Sequence, residues 1–158
     1  ATIIGIVESP TYAQSQGVKA HGMNLGGRYV FPFGSVKFVP ALHSSGYEID
    51  GVMTYMGEAS GIILEAEDKK IYHAGDTALF SDMRLFAKDK SIDVAFLPIG
   101  DNYTMGPEDA LEAVSYLNPK ITIPIHYNTF PVIQQNPAIF VEQVVGGKVL
   151  NPGETILV

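Results

Sequence analysis

Short apolar runs, broken repeatedly by glycine, proline, asparagine and aspartate, set the pattern of this chain. Residues 3–7 form a continuous β-branched run that reads as a buried strand. Ser9-Pro10 supplies an N-cap and a first helical residue, predicting a short helix that ends near Gly17. Residues 18–27 read as loop. Residues 29–33 and 36–42 read as strands, with Pro40 marking an edge or a bulge. Residues 47–58 read as a loop of about a dozen residues, a length that suggests a functional role. Two apolar runs, 61–65 and 71–74, flank the charged turn Glu67-Asp68-Lys69-Lys70 and predict a hairpin. A helical stretch over 81–88 and a buried strand over 92–99 follow. Pro107 opens the clearest helix. Glu108 and Asp109 sit in its first turn, where they complement the helix dipole, and Ala110, Leu111, Ala113, Val114 and Leu117 form its inward stripe. A strand over 121–125 comes next, then a helix capped by Asn136 and opened by Pro137 that runs to Val145. Two short strands, 148–150 and 155–158, close the chain. Hairpins mixed with strand–helix–strand units predict α/β layers.

Composition narrows the picture. The 158 residues suggest one domain or a large part of one, and 46% hydrophobic residues suffice for a sizeable core. A net charge of -7 leaves no broad basic footprint, which argues against nucleic acid as a partner. The absence of cysteine excludes disulfides, zinc ribbons and thiol nucleophiles. The first residues carry no basic start, and no apolar run approaches the ~20 residues that span a bilayer. A cytoplasmic protein without membrane attachment is the expectation.

Three predicted strands end in side chains able to bind a metal: His43, Asp76 and His126. Each stands where an apolar run breaks into small or polar residues. Two imidazoles and a carboxylate are ligands of intermediate hardness, suited to zinc, iron or manganese. They lie 33 and 50 residues apart, so no local spacing rule certifies them. Each also has an ordinary reading: Asp76 as a cap after the turn at Gly75, and the histidines as hydrogen-bonded strand-end residues.

The stretches Leu42-His43-Ser44-Ser45, Tyr72-His73-Ala74-Gly75-Asp76-Thr77 and Pro124-Ile125-His126-Tyr127 resemble the third, fourth and fifth sequence motifs of the metallo-β-lactamase superfamily. The wording is nearest to its branch of metal-dependent hydrolases related to ascorbate-phosphate lactonases. Similar stretches are His21-Gly22-Met23-Asn24, Leu97-Pro98-Ile99-Gly100-Asp101 and Thr104-Met105-Gly106-Pro107-Glu108-Asp109-Ala110, so the likeness covers nearly the whole chain in order. The resemblance implies an αββα four-layer sandwich, with two sheets face to face, helices outside and the active site along one sheet edge. It also implies that His43 ligates a first metal, Asp76 bridges two metals and His126 ligates the second. The family signature H-x-H-x-D-H is absent. The four histidines His21, His43, His73 and His126 offer no pair with that spacing. The chain therefore resembles the larger C-terminal part of a family member, with the N-terminal strands and first metal motif supplied by a missing segment or by another chain.

By that resemblance the protein is a metal-dependent hydrolase acting on a small molecule. Two cations, zinc or alternatively manganese, iron or nickel, about 3.5–4 Å apart can hold a hydroxide and polarise a carbonyl or phosphoryl oxygen. An ester, lactone, amide or phosphodiester is the expected substrate class, with Asp76 and His126 as catalytic residues. The alternative is a non-catalytic α/β module whose bared sheet edge binds a partner chain; loss of the first strands also favours a homo-oligomer. Other residues carry paired readings. His73, three positions before Asp76, falls on the opposite face of its strand and is structural or supports a ligand from behind. His21 is a loop anchor or a substrate contact. Asp101 orients a ligand histidine or caps a turn. Tyr127 and Asn128 donate to an oxyanion or serve turn chemistry. Met23, Met53, Met56 and Phe130 line an apolar pocket or fill the core.

Overall fold

The computed structural model describes residues 1–158. Its centre is a six-stranded mixed sheet. The strands are β3 (Arg28–Phe31), β4 (Gly34–Pro40), β7 (Ser60–Ala66), β8 (Lys69–His73), β9 (Val94–Pro98) and β10 (Ile121–Ile125), in the spatial order β10-β9-β8-β7-β4-β3. β8, β9 and β10 run parallel; β7 is antiparallel to β8, and β4 is antiparallel to β7. β4 therefore points the same way as β8. The hairpin between β7 and β8 turns through Glu67 and Asp68, both at positive φ (50° and 61°), as a tight two-residue turn demands.

Alternation along the strands gives the sheet two apolar faces. Val39, Ile63, Tyr72, Ala95 and Leu97 face one way. They pack with Ala110, Ala113 and Leu117 of α2 (Pro107–Leu117) and Phe140 of α3 (Pro137–Glu142) in a core of 16 buried residues. Val36, Phe38, Ile62 and Leu64 face the other way, toward Ile6 and Met23. Those two belong to a parallel pair, β1 (Ile3–Ile6) and β2 (Ala20–Met23), linked by α1 (Glu8–Ser15). This is the layered α/β arrangement that the apolar pattern predicts, with the two-stranded β1–β2 sheet over one face of the large sheet and helices over the other, as the family resemblance implies.

The structure corrects several local expectations. Residues 20–23 are strand β2, not loop, with Ile4 opposite His21. The presumed loop over 47–58 contains a hairpin, β5 (Gly46–Ile49) and β6 (Val52–Tyr55). Its Asp50-Gly51 turn, with φ of 50° and 80°, is a strong hairpin signal. Ser9 does not cap α1: the helix begins at Glu8, and the Ser9 hydroxyl donates to the Met56 carbonyl (2.8 Å). Residues 81–85 form a 3₁₀ helix. Phe80, Met83 and Phe86 recur every three residues, which matches its three residues per turn. The closing stretches 148–150 and 155–158 are not strands; a single bridge, Thr122 with Gly147, is the pairing in this region. Asn136 does cap α3, accepting from the Ala138 N–H (3.0 Å).

Candidate active site at the carboxyl ends of the strands

Parallel β4, β8, β9 and β10 discharge their following loops along one sheet edge. Loops held there by a rigid sheet are favoured places for function. The topology thus brings the loops bearing His43, Asp76, Asp101 and His126 to the same side of the molecule. Thr77, wholly buried, laces three of them together. Its hydroxyl accepts from the Leu42 N–H (2.9 Å) and donates to the Ala78 carbonyl (2.8 Å). Its own carbonyl accepts from the Met105 N–H (2.9 Å), and the Ala78 N–H donates to the Leu42 carbonyl (3.1 Å). Nothing in its local sequence singled out this threonine; the signal is its position directly after Asp76.

Asp76 and His126 meet across this edge. His126 Nε2 lies 3.6 Å from Asp76 Oδ2, within ion-pair reach but too long for a direct hydrogen bond. His126 adopts φ of +55°, a sparsely populated conformation for a residue other than glycine. Its Nδ1 is buried and has no hydrogen-bond partner. Gly100 makes this placement possible, because a Cβ there would collide with the His126 carbonyl oxygen and stand 3.1 Å from Nδ1. Strain and an unsatisfied polar atom coincide at one histidine, and such coincidences cluster at functional sites.

His43 is exposed, and its Nδ1 lies 2.8 Å from the Ser44 carbonyl. A carbonyl can only accept, so Nδ1 carries the proton and Nε2 keeps its lone pair for a ligand. However, no three His, Asp or Glu side chains converge in an arrangement able to hold a metal ion. The expected gathering of His43, Asp76 and His126 is therefore met by the Asp76–His126 pair, with His43 on a loop tied to theirs. A protein zinc site takes three or four protein ligands. The pair fits part of such a centre and does not constitute one.

The remaining candidates divide clearly. His73 accepts from the Gly75 N–H through Nδ1 (3.1 Å) and stacks on Phe96 (5.6 Å, 25° between planes). Partial burial holds its pKa below the ordinary value, with the Asp76 charge opposing that shift. Asp101 makes a turn: its Oδ1 accepts from the Asn102 N–H (2.8 Å), and its carbonyl accepts from the Thr104 N–H (3.2 Å). Asn128 closes the next loop, its Oδ1 accepting from the Gln135 N–H (2.8 Å). Tyr127 packs against the core, and burial pushes its phenol above the usual value. His21 packs against Tyr29 (4.4 Å) and Phe31 (5.2 Å), in an aromatic cluster. The apolar candidates do not form one pocket: Met23 supports the smaller core, Met53 is exposed and Met56 faces α1. Phe130 instead pairs with Tyr103 (6.0 Å) across the loops after β9 and β10, an aromatic wall that Tyr103 alone did not announce.

Comparison with known proteins shows the family. The family profile described as beta-lactamase superfamily domain matches residues 6–127. A UPF0173 metal-dependent hydrolase of Enterococcus faecalis is 95% identical over all 158 residues, and the chain spans 70% of that relative's length. A UPF0173 metal-dependent hydrolase of Bacillus cereus strain AH187 is 52% identical over 99% of the chain and 70% of the relative. Among solved structures, Igni18, a metallo hydrolase from Ignicoccus hospitalis, superposes with a TM-score of 0.88 at 35% identity, over 99% of this chain and 68% of that one. Layered sheets, motif order and these likenesses agree: the chain belongs to the metallo-β-lactamase superfamily, in its group of metal-dependent hydrolases.

Proposed function

We propose that this chain forms the larger, C-terminal part of a metal-dependent hydrolase domain acting on an ester, lactone, amide or phosphodiester of a small molecule. The observation that carries the reading is the Asp76–His126 pair, held at the shared strand edge with His126 Nδ1 buried and without a partner. Asp76, His126 and His43 would hold zinc, or manganese, iron or nickel, with further ligands from residues outside these 158 or from another chain. The metal, when bound, polarises the substrate's carbonyl or phosphoryl oxygen and lowers the pKa of water toward about 7. The chain's own part is to fix donors. Thr77 positions the loop of Asp76 against that of His43. Gly100 lets His126 keep its strained orientation. Nδ1-protonated His43 presents Nε2. Tyr103 and Phe130, on the loops after β9 and β10, would offer an apolar wall to the substrate body. The curated relatives, named as metal-dependent hydrolases, support the same reading.

The test compares this chain with the longer E. faecalis relative, by zinc and manganese titration and by hydrolysis of nitrophenyl esters, lactones and bis-nitrophenyl phosphate. The longer protein is expected to bind metal tightly and to hydrolyse one of these classes. Asp76→Ala is expected to lose at least about 100-fold in rate, since even groups that only orient a metal ligand contribute about 10–100-fold. If the longer protein binds no metal, the enzyme reading fails and the partner-binding module takes its place.

A further inference from the structure

A cavity of about 620 Å³ lies away from the Asp76–His126 edge. Its size is in the range of pockets that take small organic ligands, about 300–1,000 Å³. It sits over β3, β4 and β7 on the helix-side face of the sheet, walled by the segment that follows the 3₁₀ helix. Lys70, near the start of β8, reaches into it, whereas Asp76 follows the other end of that strand. Lys70 and His73 are three positions apart and so point to opposite faces.

The lining charge runs against the whole protein. The chain holds 10 lysines and arginines and has a net charge of -7, yet Arg28, Lys37, Lys70 and Lys88 converge here with two carboxylates, Glu65 and Asp89. Two of the cations are spoken for. Arg28 pairs with Glu65 and also donates to the Ser35 hydroxyl (3.0 Å). Buried Lys70 donates to Asp89 (2.6 Å) and to the Lys90 carbonyl (3.3 Å). Lys37 and Lys88 make no ion pair, so the lining carries an excess of two positive charges. Arg28 and Lys37 are moreover directly opposite across the β3–β4 ladder. Glu65 answers Arg28, so Lys37 is the charge of this like-charged pair left for an anion. Beside the charges, Val39, Ile63 and Leu85 give the cavity an apolar wall.

We propose that this cavity is a second ligand site, for a small organic phosphate. The phosphate group sits among Lys37, Lys88 and Arg28, and the apolar body lies on Val39, Ile63 and Leu85. A phosphate monoester carries about -1.5 to -2 at neutral pH, which matches the two uncompensated lysines.

The experiment uses 1-naphthylmethylphosphonate, which cannot be hydrolysed, with 1-naphthol as its neutral analogue and inorganic phosphate as the bare anion. Binding is followed by calorimetry and by backbone amide shifts. The phosphonate is expected to bind at least tenfold more tightly than either control, to weaken as salt rises and to shift amides at Ser35, Ile63 and Leu85. Lys37→Gln with Lys88→Gln is expected to weaken it tenfold or more; both side chains are exposed, and an unchanged thermal midpoint confirms the fold. Asp76→Ala is expected to leave it unchanged. Equal binding of 1-naphthol, undiminished binding by the double variant or loss of binding in Asp76→Ala would each overturn the proposal. The outcome does not depend on whether the Asp76 edge proves catalytic.

Discussion

At the amino ends of β8, β9 and β10 the Asp93 carboxylate accepts from the Lys70 N–H (2.8 Å) and from the Lys120 ammonium (2.7 Å). At their carboxyl ends the Asp76 carboxylate accepts no hydrogen bond and stands 3.6 Å from His126. Asp93 is buried with both oxygens used, and its hydrogen bond from Lys120 holds its pKa below the ordinary range. Around it Ile92 and Asp93 carbonyls accept from Lys120 and Ile121, so one carboxylate staples the starts of three strands. The opposite end shows the reverse. Asp101, Asn102, His126 and Asn128 all have positive φ there, and His126 Nδ1 is orphaned. Positive φ also occurs near the amino ends, at Glu67, Asp68 and Asn118, but in a tight hairpin turn and a left-handed helix cap, where it is the regular solution. The same sheet therefore has one end closed by a stapling carboxylate and one end with strained backbone and an unpartnered histidine nitrogen.

The comparison breaks first where its two carboxylates are exchanged in role. Asp93→Ala strands the Lys70 N–H and is expected to cost about 2–3 kcal/mol, read as a lower urea midpoint. Asp76→Ala is expected to change stability by no more than about 0.5 kcal/mol, because its side chain is half exposed and bonded to nothing. If the two variants lose equal stability, the division between the ends is wrong. A smaller effect is expected for Thr77→Val, about 1 kcal/mol, since the part-buried hydrogen bond from the Leu42 N–H loses its acceptor. Its sharper readout is function: metal affinity should fall under conditions where the variant remains folded, because the loops of His43 and Asp76 lose their tie.

The smallest effect is the acid limb. Asp93 has a lowered pKa when folded and a value near ~3.9 when unfolded. Its contribution is thus fully present above the unfolded value and is lost as pH falls through the folded one. Urea midpoints measured from pH 6 down to pH 2.5 should fall below about pH 4, and Asp93→Asn should flatten part of that fall. An identical acid slope in both proteins would show that the staple is not electrostatic.

Some of this was legible in order along the chain. The turn Glu67-Asp68, the helix opened by Pro107 and the cap at Asn136 each depend on neighbours within a few residues, and each stands where the pattern placed it. Ser9-Pro10 misled because the serine hydroxyl found the Met56 carbonyl, 47 residues away, in preference to its own helix. The hairpin at 46–55 was hidden by its exposure: Tyr47, Val52, Met53 and Tyr55 all face solvent, so no core-facing alternation marks its strands. The tails at 148–150 and 155–158 have strand-like composition but find no ladder to join.

By itself, the sequence determined which residues stand at strand ends and which faces are apolar, because periodicity and chain-breaking residues act over one or two turns of backbone. It therefore placed Asp76 and His126 at strand ends, and its family motifs tied them to metal chemistry. The tertiary structure decided that these two meet, that His43 remains on a neighbouring loop, that Thr77 binds the loops together and that the surplus lysines gather over the far half of the sheet. Those outcomes rest on strand order and on packing between residues dozens of positions apart, and a local pattern carries no information about either.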